Sequence, residues 1–211
     1  MIMIDDPTLI APPLRVAILI FDEVEVLDLA GPFEVFGVTR RPNGTPAFDV
    51  VTVALKPGAI LTRNGLSILP AHCPATLGVI DILVVPGGYG TRQLLVDAET
   101  LDFIRSASAA ASVTLSVCTG ALLLAAAGLL SGKAAATHWA AIDELRALAP
   151  DANVHPYARI ADNGALILSA GISAGIDAAL YVVARCFGEP QADHTARYMD
   201  YQRGVGSIIT A

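Results

Sequence analysis

Two segments of this chain are nearly unbroken apolar runs where a half-exposed strand would alternate: Leu14 to Phe21 (LRVAILIF) and Ile80 to Val85 (IDILVV). A strand with one face in water places a polar side chain at every second position. A run without that alternation is covered on both faces, as in a parallel sheet held between helices. Phe48 to Ala54 (FDVVTVA) and Val113 to Val117 (VTLSV) read as further strands. Between and after them lie stretches of helical length: Glu23 to Val38, Ala98 to Ala110, 119–130, 139–148, Ala174 to Phe187, and about Pro190 to Gln202. The alternation predicts an α/β fold, a mainly parallel sheet with helices on both faces.

Smaller features fill in the outline. Residues 57–70 carry Pro57-Gly58 and Asn64-Gly65, which predict a hairpin, and Ala134 to Thr137 forms a short extended stretch. Strands are expected at 153–161 and 165–169, separated by Asp162-Asn163-Gly164. In the helix near residue 24, Val26, Leu27, Leu29, Phe33 and Phe36 fall broadly on one side, and Gly31-Pro32 is expected to bend its entry. No repeat or low-complexity linker divides the 211 residues. The reading is therefore an N-terminal arm over 1–13, one domain over 14–188, and a C-terminal helical extension of that domain over 189–211.

Composition excludes several classes. Apolar residues make up 54% of the chain and charged residues 16%, which suits a packed core and not a disordered chain. Net charge is −7 with Lys and Arg scattered, so no nucleic-acid partner is expected. The opening MIMIDDPTLIAPP is acidic and broken by proline, unlike a signal peptide. The apolar run Ala121 to Leu130 is too short to span a bilayer, so no membrane partner is expected. Cys73, Cys118 and Cys186 form neither a disulfide framework nor a zinc pattern, which points to reduced thiols in the cytoplasm and no metal.

In a parallel sheet, sites form beyond the carboxyl ends of the strands. Three segments end there in small residues: Pro86-Gly87-Gly88, Cys118-Thr119-Gly120 and Ala170-Gly171-Ile172-Ser173. They are expected to converge. Ser116-x-Cys118-x-Gly120 has the spacing of a nucleophile elbow, with serine in place of the usual first glycine. A thiol at a helix start meets unpaired N–H groups and the positive end of the dipole, which favour the thiolate. A buried cysteine is also an ordinary small hydrophobe, and spacing alone leaves both readings open. Gly87 and Gly88 would expose backbone N–H groups to a developing negative charge, or simply turn the chain. Asp28, between Leu27 and Leu29, would hold a proton near neutral pH if buried; otherwise it is a helix cap. Glu23 and Glu25 read as solvated. His138 could act as a base for Cys118 or be a packing histidine.

Together these segments resemble the DJ-1/PfpI superfamily over residues 14 to about 188. The motifs are Leu27-Asp28-Leu29-Ala30-Gly31-Pro32, Val85-Pro86-Gly87-Gly88, Ser116-Val117-Cys118-Thr119-Gly120, Gly132-Lys133 with Thr137-His138-Trp139, and Gly171-Ile172-Ser173-Ala174-Gly175-Ile176-Asp177. The resemblance implies a flavodoxin-like domain, a homodimer and a small-molecule substrate. Within the superfamily the chain looks most like the branch that hydrates isocyanides, because Asp28 stands where many members have glutamate. Thr119 stands where protease-like members carry histidine. The same pattern resembles the sensor domains of AraC-type regulators. For the hydratase branch the resemblance implies Cys118 as nucleophile, Asp28 as proton donor and Thr119 as an aid to the acid or water. It also implies charge-stabilising amides at Gly87, Gly88 and Thr119, backbone lining at Ile172, and no cofactor. Glyoxalase- or deglycase-type chemistry on small aldehydes, favoured if His138 neighbours Cys118, and non-catalytic ligand or redox sensing are the alternatives.

Overall fold

The computed structural model describes residues 12–204 and 206–210. The elements run β1 (Leu14–Leu19), α1 (Val26–Val38), β2 (Phe48–Val53), β3 (Ile60–Leu61), β4 (Ser67–Ile68), α2 (Pro74–Leu77), β5 (Ile82–Val85), α3 (Thr91–Leu94) and α4 (Ala98–Ala110). They continue with β6 (Val113–Val117), α5 (Gly120–Ala126), β7 (Ala134–Ala135), α6 (Ile142–Leu148), β8 (Asn153–Val154) and β9 (Ile160–Asp162). The last are β10 (Leu166–Ser169), α7 (Ala174–Phe187), α8 (Glu189–Tyr198) and β11 (Ile208–Thr210). Seven strands form one sheet in the order β11-β9-β10-β6-β5-β1-β2. The pairs β2–β1, β1–β5, β5–β6, β6–β10 and β9–β11 are parallel, and β9–β10 is antiparallel. β1, β5 and β6 are central and buried over most or all of their length, as their uninterrupted apolar runs require. The α/β reading holds, and the expected hairpin is β3–β4.

Several boundaries differ, each for a local reason. α1 starts at Val26 and runs continuously through Pro32. Its buried face is Asp28, Leu29, Gly31, Pro32, Val35 and Phe36, while Leu27 and Phe33 stand exposed, so the apolar stripe is narrower than the sequence suggests. The helix expected over 119–130 ends at Ala126, followed by a turn at Gly128 with φ +78. The single strand expected over 153–161 is two: β8 pairs with β7 outside the main sheet, and β9 joins the main sheet. The C-terminal extension is helical only over α8, and its last residues form edge strand β11, a β-branched Ile-Ile-Thr run that pairs with β9. Of the expected arm, residues 1–11 lie outside the described residues. No described helix is long and apolar enough to cross a membrane.

Candidate active site

The carboxyl ends of β1, β5, β6 and β10 meet at one point, and the three small-residue turns converge there. Cys118 has φ +58, a left-handed conformation that a residue with a Cβ holds only when its surroundings enforce it. Its N–H donates to Ala170 O at 3.1 Å, and its carbonyl accepts the Thr137 hydroxyl at 2.8 Å. The turn also requires Gly120, since a Cβ there would stand 2.0 Å from Val85 O. This is the strand-to-helix elbow that the spacing predicts.

Asp28, in the first turn of α1, is fully buried beside the thiol. Its Oδ2 accepts the Gly87 N–H at 3.0 Å. Its Oδ1 is buried and makes no hydrogen bond of ordinary geometry, although the Cys118 thiol lies close enough to interact with the carboxyl. Burial pushes Asp28 up to about 7, against the pull of the Gly87 amide, the thiol and the Ile172 amide. Burial also pushes Cys118 up to about 12, helped by the Asp28 charge and opposed by the Thr119 and Ile172 amides. The expectation of a resting thiolate is therefore corrected. The amides are present, but the thiol is buried against a carboxylate, and desolvation outweighs them. The two groups share one site, so these values belong to the pair.

The glycine amides do not face open space. Gly87 N–H is taken by Asp28, and Gly88 N–H donates to Thr119 Oγ1 at 2.9 Å. The Thr119 hydroxyl also donates to Gly88 O at 3.2 Å, so it braces the β5–α3 turn and does not orient the acid. The amides that reach the sulfur are those of Thr119 and Ile172. Ile172 has φ +50, and its N–H also acts on Asp28, so its backbone serves both groups.

A cavity of about 420 Å³ opens over the thiol, with His138 in its wall. His138 Nδ1 accepts the Ala140 N–H at 3.3 Å, and burial, with Arg92 next in weight, lowers its basicity. It makes no hydrogen bond to Cys118 among the described residues. Glu25, Arg63, Tyr89 and Arg92 also line the cavity, and the sequence reading missed all four. Glu25 is half-buried in this wall. Tyr89 was findable, since it follows Gly87-Gly88 at the same end of β5. Arg63 comes from the β3–β4 hairpin and Arg92 from α3, where no local pattern marks them. Among the described residues, no group of three or more His, Cys, Asp or Glu is placed to hold a metal ion.

The comparisons with known proteins agree with this architecture. The DJ-1/PfpI family model matches residues 14–185. The isonitrile hydratase of Pseudomonas putida is 38% identical over 189 residues, covering 89% of this chain and 78% of that protein. The HTH-type transcriptional regulator GbdR of Pseudomonas aeruginosa is 24% identical over 191 residues, covering 90% of this chain but 52% of the regulator. A ThiJ/PfpI family protein from Pseudomonas syringae, solved by crystallography, superposes with a TM-score of 0.80 at 31% identity, over 92% of this chain and 77% of its own.

Proposed function

Because the chain belongs to the DJ-1/PfpI family, we propose that it hydrates a small isocyanide to an N-substituted formamide, with Cys118 as nucleophile and Asp28 as proton carrier. The observation that carries this reading is the buried carboxyl of Asp28 against the Cys118 thiol, with no cation in contact with it among the described residues. Similarity to an isonitrile hydratase supports the choice of electrophile.

The chemistry balances without a cofactor. As sulfur attacks the terminal carbon of R–N≡C, the thiol proton passes to the Asp28 carboxylate. Asp28 then returns that proton to the same carbon, leaving the thioimidate R–N=CH–S–Cys118. Water adds to this carbon and the C–S bond breaks. One water proton ends on nitrogen and the other on sulfur, releasing R–NH–CHO and the free thiol. The Thr119 and Ile172 amides stabilise charge on sulfur as it forms and leaves, by fixed dipoles in a dry site. Cytoplasmic location, and a homodimer using the exposed Leu27 and Phe33 of α1, belong to the same proposal.

The test is formamide production followed by mass spectrometry. Cys118→Ala should reduce it to the uncatalysed rate while the protein keeps its fold, and turnover retained by this variant would overturn the reading. A second reading, aldehyde chemistry, is favoured by His138 lining the same cavity as Cys118. Cofactor-free turnover of methylglyoxal, with none of an isocyanide, would decide for it.

A further inference from the structure

The hydratase reading leaves the upper wall of the cavity without a role. We propose that Arg63 and Arg92 form a carboxylate-binding mouth above Cys118, so that the preferred substrate is a small isocyanide bearing a single carboxylate. The choice of isocyanide as reacting group rests on the reading above; the anion-binding mouth does not.

The chain as a whole is acidic, at −7, yet the cavity wall holds two guanidinium groups, of which Arg92 is paired with Glu144, and one outer carboxylate, Glu25. Both arginines are positioned before any ligand arrives. The Arg63 guanidinium lies over the Tyr89 ring, 3.8 Å from its centroid, and has no salt-bridge partner among the described residues. Arg92 is held by Glu144 at 2.7 Å through one terminal nitrogen, while the other donates to Gly88 O and Thr91 Oγ1, each at 3.3 Å. Arg92 therefore adds charge to the wall, and Arg63 holds the guanidinium left unpaired among the described residues. A planar guanidinium matches the two oxygens of a carboxylate, and a stacked or anchored one loses less freedom on binding. His138 in the same wall has its basicity lowered first by burial and then by Arg92 and Arg63, against the opposite influence of Glu25.

Glu25 lies in the same wall and limits how much negative charge it can take. A carboxylate, with one charge and a planar pair of oxygens, matches a single guanidinium. The cavity, at about 420 Å³, has room for a small carboxylate-bearing isocyanide, and Arg63 and Cys118 line it together.

Isocyanoacetate and methyl isocyanoacetate differ in that charge and in one methyl group. The carboxylate should be favoured by about tenfold in kcat/KM, mainly through KM, as one charge-assisted contact provides. Arg63→Gln should move the ratio toward unity, with an unchanged melting temperature confirming the fold. A readout independent of turnover is calorimetric binding of N-formylglycine against its methyl ester. Tighter binding of the acid, lost in Arg63→Gln, would support the anion site even if neither isocyanide reacts, an outcome that would sink only the hydratase reading. Equal affinities for acid and ester would overturn the anion site, while turnover of the ester would leave isocyanide hydration standing.

Discussion

Two buried aspartates, one at the start of α1 and one at the start of α7, begin from the same position and end with different roles. Asp28 and Asp177 each lie in the first turn of a helix, and each accepts the N–H of a glycine, Gly87 at 3.0 Å and Gly204 at 2.8 Å. Asp177 also holds Arg159, whose Nε donates to it at 2.6 Å. That pair ties α7 to the start of β9, and the Gly204 bond ties it to the segment leading into β11. Asp28 has no cation in contact among the described residues, and the Cys118 thiol lies beside its carboxyl. A buried carboxylate with a fixed counter-charge holds a structure together. A buried carboxylate without one keeps its proton exchangeable near neutral pH, which is what a proton carrier needs.

The largest expected effects come from exchanging each acid for its amide. Asp28→Asn should lower kcat/KM by about 10²–10⁴-fold, the range for loss of a positioned acid–base group. Its melting temperature should hold or rise, since a costly buried charge is gone. Asp177→Asn should do the reverse: activity within about tenfold, and a stability loss of about 2 kcal/mol. That loss is below the range for a fully buried broken pair because Arg159 stays partly solvated. Urea denaturation and initial rates on both variants decide it, and a large activity loss in Asp177→Asn with unchanged stability would break the comparison.

The glycine partners sharpen it. A Cβ at Gly87 would meet Thr119 N at 2.5 Å and Asp28 Oδ2 at 2.9 Å, and a Cβ at Gly204 would meet Asp177 Oδ2 at 2.8 Å. Gly87→Ala should therefore move the acid relative to the thiol and cost about 10²-fold in rate, as an ångström of misplacement can. Gly204→Ala should show mainly as a lower melting temperature.

The pH response separates Asp28 again. Its carboxyl moves from 3.8 in the unfolded chain to about 7 in the fold. Between those values the native state binds more protons than the unfolded state, so this group's contribution to stability falls as pH rises through the window. The total is on the order of 4 kcal/mol, at about 1.4 kcal/mol for each tenfold change in proton affinity between the two states. Asp28→Asn should flatten that slope in denaturation curves. For catalysis, the mechanism uses the pair carrying one proton, which exists above about 7 and below about 12. The value of kcat/KM should rise about tenfold per pH unit up to about 7 and then level off. A profile that falls above 7 would mean that the doubly protonated pair is the active form.

How much of this could be read from the sequence follows from the range of the interactions. The unbroken run at Leu14–Phe21 and the strand–turn–helix spacing around Cys118 are local patterns, and both predicted the geometry found. The pairing of Asp28 with Cys118 is not local; it came from resemblance, and the structure brings the two together. The protonation of Cys118 was misjudged because a helix start is visible in sequence, whereas desolvation by α1 and the 170–173 turn is not. Arg63 and Arg92 were missed for the same reason: each becomes part of the cavity only when the hairpin and α3 fold over β5 and β6. β11 was missed because Ile208–Thr210 is too short to signal a strand until β9 offers an edge.

The smallest predicted effect concerns Thr119, the residue whose role the geometry changes most. Its hydroxyl links both the N–H and the carbonyl of Gly88, and Thr91 Oγ1 reinforces the same turn by donating to Gly88 O at 2.8 Å. Only its backbone amide reaches the sulfur. Thr119→Ser keeps the hydroxyl and the amide, so its rate should stay within about threefold of the parent. Thr119→Val keeps the shape but leaves the Gly88 N–H unpaired in a buried turn, at a cost of about 1–3 kcal/mol. Its rate should fall only modestly, because the thiol, acid and both amides remain. If Thr119→Val instead lost activity as completely as Asp28→Asn, the hydroxyl would be handling the reacting proton or water. The contrast between a chemical acid and a structural brace would then move from two distant aspartates to two neighbours of one thiol.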